Sequence, residues 1–148
     1  MQTKISIQKE DFDIAAESEA LCAGRSDIGA AVTFSGLVRG DNGLTAMTLE
    51  HYPGMTEREI AAHVEEAGKR WPLLGVTVIH RVGRLKPGER IVLVAAASAH
   101  RAAAFEAANF LMDYLKTRAP FWKLEARADG SHWVDARNED DTAAKRWE

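Results

Sequence analysis

Five basic side chains gather around one helical segment and its exit. His100 and Arg101 open it, Lys116 and Arg118 close it, and Lys123 follows after Pro120. Groups of one charge sign held this close repel each other, and an anionic substrate is the plainest reason to gather them. At a helix start the free N–H groups and the dipole favour an anion, and basic side chains are unfavourable for the helix itself. Their presence at His100 and Arg101 points to a phosphate or carboxylate. Lys116 falls in the last turn, where a cation suits the dipole, so a plain dipole partner is the alternative reading. Lys123 stands between Trp122 and Leu124 on a period of two, and its side chain faces away from theirs. A lysine held near other cations, or partly desolvated, loses its proton more easily and can serve as general base or nucleophile. Solvated charge is the alternative.

Helix length sharpens this reading. Sixteen residues separate His100 from Lys116, and at 1.5 Å per residue the two ends lie about 24 Å apart. One small-molecule site cannot use both ends of one helix. If both serve a single site, a second copy of the chain supplies one half, which predicts a homodimer with composite sites.

The elements that must position these groups read as mixed α and β. Lys4–Gln8 alternates as a short strand, and Asp13 caps a helix that runs through Leu21 to a stop at Gly24. Gly29–Val38 and Leu44–Tyr52 read as strands joined in a hairpin across the Arg39–Gly43 turn. Thr56 and Glu59 form a capping box for a helix that presents Ile60, His63, Val64 and Ala67 and ends at Trp71-Pro72. Val76–Val82 and Arg90–Ala97 are strands joined across Lys86–Glu89. The long helix spans about His100–Thr117, with Ala104, Phe105, Ala108, Leu111, Met112 and Leu115 as its apolar face. Phe121–Arg127 and His132–Ala136 form a last hairpin, and the charged tail 138–148 a short helix. Antiparallel pairs dominate, so the fold class is α+β, in a single domain over residues 1–148.

Composition narrows the function. The chain has 148 residues, 46% hydrophobic and 28% charged, with a formal charge of −3. Nothing in that balance points to nucleic acid or a membrane surface, so any anion site is local. No apolar run approaches a membrane span, and the start leads into no signal-peptide core. Cys22 is the only cysteine; it forms no intrachain disulfide, reads as a packed side chain, and suits a reducing cytoplasm. The five histidines, at 51, 63, 80, 100 and 132, are scattered, so neither a metal nor another cofactor is expected. No glycine-rich phosphate loop joins a strand to a helix.

Several blocks together carry a resemblance. They are Phe34-Ser35-Gly36-Leu37-Val38-Arg39, Leu49-Glu50-His51-Tyr52-Pro53-Gly54-Met55, His80-Arg81-Val82-Gly83, Ser98-Ala99-His100-Arg101, the run Met112–Lys123 and Trp133-Val134-Asp135-Ala136-Arg137. From about Gly29 to Trp147 the chain closely resembles the large, catalytic subunits of molybdopterin synthase, the MoaE family. The resemblance implies an α/β hammerhead fold. It also implies a sulfur transferase that converts cyclic pyranopterin monophosphate (precursor Z) into molybdopterin by inserting two dithiolene sulfurs. The sulfur would arrive as a thiocarboxylate on the C-terminal Gly-Gly tail of a small ubiquitin-like subunit of MoaD type, in a heterotetramer built around a large-subunit dimer.

Carried over position by position, the resemblance makes Lys116 and Lys123 the catalytic lysines and Arg39 a substrate-binding residue. His100 and Arg101 of the neighbouring subunit would hold the cyclic phosphate, joined by Arg137. Leu37, Val38, Leu124 and Glu125 complete the substrate-binding set, and Met112 and Phe34 are pocket walls or core. Leu37 departs from the polar or basic residue of many relatives, the Gly40–Gly43 turn is shorter than in some, and the region up to Asp27 carries little of the pattern. Two other readings compete: a non-catalytic regulatory module that binds a phosphorylated ligand, and a hydrolase using Ser98 near His100. Ser98 more simply caps the helix.

Overall fold

A computed structural model describes residues 1–134 and 138–148. The order is β1 (Gln2–Gln8), α1 (Ile14–Cys22), β2 (Ala30–Leu37), β3 (Leu44–His51), α2 (Met55–Arg70), β4 (Leu73–Arg81), β5 (Gly83–Leu85), β6 (Arg90–Ser98), α3 (Arg101–Thr117), β7 (Phe121–Arg127), β8 (Gly130–Val134) and α4 (Asn138–Lys145). They form two four-stranded sheets, β1-β4-β6-β2 and β5-β3-β7-β8. Of the pairs in them only β1 with β4 is parallel. The fold is the α+β arrangement that the sequence predicts.

The continuous apolar run of β6 explains the first sheet. A strand covered on both faces loses the alternation of a half-buried one. Val92, Val94 and Ala96 face α2 and α3, packing with Val76 and Val78 of β4 and with Ile60, Val64, Ala107 and Leu111. The intervening Leu93 meets Ile79 and Phe12, while Ala95 and Ala97 meet Leu21 of α1. Gly75 makes that last contact possible, because a Cβ there would stand 2.7 Å from Leu21 Cδ1. Asp13 caps α1 as expected, accepting from the Ala16 N–H at 3.1 Å, and Cys22 packs partly buried against the Leu21 cluster.

Five local expectations need correction. β2 and β3 are not a hairpin: β2 pairs with β6, and β3 with β5 and β7. The register of β2 shifts between Gly36 and Leu37, and Val38 then binds the Gly88-Glu89 turn through N–H and C=O. The chain therefore crosses to the other sheet instead of turning back. β5 is an unforeseen strand, and Gly83, at φ +87°, turns the chain out of β4 into it. The N-terminus of α2 is closed by Glu57, whose carboxylate accepts from Gly54 N–H at 2.9 Å; Thr56 instead accepts from Tyr52 N–H. Phe105 is 60% exposed, and Ala103, Ala107, Phe110 and Tyr114 are buried on α3 in its place. Ser98 caps nothing: His100 is the N-cap residue of α3, and the fully buried Ser98 donates its hydroxyl to the His100 carbonyl. A hydroxyl committed in this way is no nucleophile. Ala136, the expected end of the last strand, lies outside the described residues.

Candidate active site

A cleft of about 800 Å³ opens between the two sheets beneath the C-terminal end of α3. Each wall reaches it through a local feature of the sequence. On one side the shift at Gly36 brings Leu37, Val38 and Arg39 to its edge. A Cβ at Gly36 would stand 2.8 Å from a Val92 methyl, so the close approach of β2 to β6 requires glycine there. On the other side Lys123, Glu125 and Arg127 alternate along β7 and share the cleft face.

The end of α3 sets the two lysines against each other. Arg118 N–H and Ala119 N–H both bond the Tyr114 carbonyl, at 2.8 and 3.1 Å. Pro120 then leads into β7, its carbonyl accepting from the Thr56 hydroxyl at 3.4 Å. Lys116 reaches the cleft from the last turn of the helix and Lys123 from the middle of the strand, opposite Leu49 of β3 and Val134 of β8. Met112 and Phe34 stand in the wall, Phe34 40% exposed and thus no core residue.

Behind the lysines lies His80, buried at 7% exposure. Its ring stacks on Phe121, with centroids 4.0 Å apart and planes at 18°. Burial holds its pKa down at about 4; the positive charges of Lys116 and Lys123 push the same way, against the hydrogen bond to the Arg81 carbonyl. The imidazole is therefore neutral at ordinary pH. His51 itself is half-buried, its Nε2 4.0 Å from Glu57 Oε1.

Arg127 ties the walls together. Its guanidinium donates to the carbonyls of Asp41 (3.0 Å) and Asn42 (2.6 Å) and to Glu125 Oε1 (2.9 Å). This clips the turn after Arg39 to β7 with charge-assisted bonds. Arg39 is paired with Asp41 at 2.8 Å and mostly exposed at the mouth.

Among the sequence-derived candidates, the cleft gathers Leu37, Val38, Arg39, Lys116, Lys123 and Glu125. Glu125 is engaged by Arg127. Leu124 is not part of the cleft lining and pairs with Thr48 and Trp133. His100 and Arg101 are exposed at the opposite end of α3, away from the cleft. Arg137 lies outside the described residues. His80 and Arg127 were missed, though each carries a clue. His80 continues the Val76, Val78 alternation into a polar side chain, and Arg127 continues that of Lys123 and Glu125.

Comparison with known proteins agrees with this architecture. The family model described as MoaE protein matches residues 7–118. A Mesorhizobium japonicum protein named molybdopterin synthase catalytic subunit is 64% identical over 146 residues, 97% of this chain and 92% of its own. The solved molybdopterin biosynthesis MoaE protein from Burkholderia ambifaria superposes with a TM-score of 0.86 at 52% identity, covering 99% of this chain and 98% of that one. A solved protein–protein complex of subunits 1 and 2 of molybdopterin-converting factor from Helicobacter pylori shares the fold, with a TM-score of 0.74 at 20% identity over 91% of each chain. With its family model matched over most of its length and relatives this similar across nearly all of it, the chain belongs to the MoaE family.

Proposed function

We propose that the chain is the catalytic subunit of a molybdopterin synthase, a sulfur transferase acting on precursor Z with two sulfurs carried in turn by a small ubiquitin-like partner. The observation that carries this reading is the meeting of Lys116 and Lys123, from a helix end and a strand, in one cleft. The M. japonicum relative bears the name of that catalytic subunit, and the H. pylori structure is a complex of two subunits.

The chemistry fits the side chains. A thiocarboxylate and a cyclic phosphate are both anions, and ammonium groups in a partly dry cleft offset their charge and that of the intermediates. In each transfer a carbon–sulfur bond forms on the pterin side chain as a carbon–oxygen bond there breaks, its oxygen leaving as water or with the phosphate. The sulfur–acyl bond breaks, and water supplies the second oxygen of the released glycine carboxylate. The lysines deliver and accept the protons that this exchange moves. His100 and Arg101 lie too far along α3 to serve the same cleft, so a second copy supplies them to hold the phosphate. The working assembly is then a dimer of this chain carrying two small subunits.

Turnover of precursor Z with a thiocarboxylated small subunit tests the reaction. Lys116→Ala is expected to lower the rate by about 10³-fold, a loss of the size seen when one electrostatic stabiliser is removed. No product from a folded, partner-bound wild type would instead favour a phosphate-binding regulatory module. The composite site has its own test. Lys116→Ala and Arg101→Ala chains, each inactive alone, should regain about a quarter of wild-type activity when mixed and allowed to exchange, because half the dimers carry one intact site of two. No recovery would sink the shared site and leave the lysines untouched.

A further inference from the structure

We infer that His80 is a hydrogen-bond acceptor of fixed tautomer in the cleft wall, placed to take an N–H donor from a bound ligand. The inference rests on the cleft being the sulfur-transfer site proposed above. Three features of the fold carry it. The ring lines the cleft yet is clamped by its stack on Phe121. Its Nδ1 lies 2.9 Å from the Arg81 carbonyl, which only accepts, so Nδ1 carries the proton and Nε2 the lone pair. With Nδ1 committed, Nε2 is the remaining polar edge of a ring that lines the cleft.

Charge keeps the lone pair available. Burial and the cations at Lys116 and Lys123 oppose protonation from the helix end and β7 at once. A proton shuttle would have to take up a second proton in that setting, whereas an acceptor works without changing state. The chemistry selects an N–H-bearing ligand: the pyrimidine ring of a pterin supplies one, and the main-chain amides of an entering glycine tail another. A site that accepts from such a group discriminates against an isostere without it, since the buried acceptor is then left unpaired.

Nitrogen NMR of the whole chain, labelled at histidine, tests this with two ligands added separately: precursor Z, and the small subunit as carboxylate. The expected result is an upfield shift of the unprotonated Nε2 resonance of His80 with one of them and an unmoved Nδ1 resonance. Whichever ligand causes the shift is the source of the donor. No shift with either ligand bound would reduce His80 to packing, and a move of Nε2 into the protonated range would replace the acceptor with a shuttle. Either outcome overturns the inference. Failure of both ligands to bind wild-type chain overturns it together with the functional reading, and is seen before any variant is made. Two variants make the energetic check. His80→Phe keeps the ring stack and should weaken that ligand about 10- to 100-fold, the cost of losing one buried bond. His80→Gln, with an acceptor restored, should recover most of it, with both variants folded by circular dichroism. Equal losses in the two would also count against an acceptor.

Discussion

The two sheets bury their strands in different ways. In β6, at the middle of the first sheet, every residue from Val92 to Ser98 is buried. In β7, its counterpart in the second, every residue from Phe121 to Arg127 is only half-buried. The first sheet is packed on both faces by helices and needs nothing from a ligand. The second is closed on one side only and presents a row of charges to the cleft. Scaffold and cleft charges are thus divided between the sheets, although β2 and His80 of β4, both in the first sheet, also line the cleft.

The largest expected difference between them is in stability. Leu93 is fully buried against Ile79 and Phe12, and Leu93→Ala removes that packing and leaves a cavity, at a cost of about 3–4 kcal/mol. Trp133 in β8 is 60% exposed, and Trp133→Ala should cost less than about 1 kcal/mol despite deleting a larger side chain. Denaturant unfolding of both variants checks the contrast. Similar losses would mean that the second sheet carries as much of the fold as the first.

His80 sharpens the comparison through pH. Its folded pKa is lowered from 6.5 to about 4, so between those values the unfolded chain binds a proton that the folded chain refuses. Stability is unaffected above the unfolded value, falls as pH drops through the window, and levels off below the folded value. A shift of this size corresponds to a loss on the order of 3 kcal/mol. Thermal melts between pH 7 and 4 should show that slope, and His80→Phe should flatten it. The lowered carboxyl of Asp11, paired with Arg90, loses its contribution only at lower pH and does not account for the same window.

How far the sequence discloses this molecule follows the same division. The long helix and its neighbours were legible because helix and strand periods, caps and glycine stops are local. α3 runs from Arg101 to Thr117, with His100 as its cap, close to its expected span. The pairing of β2 and β3 was not legible, since partner choice depends on β6 needing a strand on each side and on a shift at Gly36 that periodicity does not register. Lys116 and Lys123 stood out by charge and by the turn at Pro120. His80 did not, because a histidine within an apolar strand looks like core until the helix above it ends and the cleft begins. Phe105 misled for the opposite reason: its spacing suits the apolar stripe, but the small Ala103 and Ala107 are what let α3 sit close to the sheet.

The smallest effect belongs to Arg127, the residue that joins the cleft's two walls. Its bonds to the Asp41 and Asn42 carbonyls hold the turn that follows Arg39, while its pairing with Glu125 keeps that carboxylate from facing an anionic ligand alone. Arg127→Gln removes the charge and the fork but retains a donor, so the fold should lose only about 1 kcal/mol. The consequence should lie in binding: KM for the proposed pterin substrate rising about 3- to 10-fold, with kcat nearly constant, as the wall bearing Arg39 loosens while the lysines stay in place. A fall in kcat with KM unchanged would put Arg127 among the groups that act on the transition state. The second sheet would then do chemistry along its whole edge and not, as proposed above, at Lys123 alone.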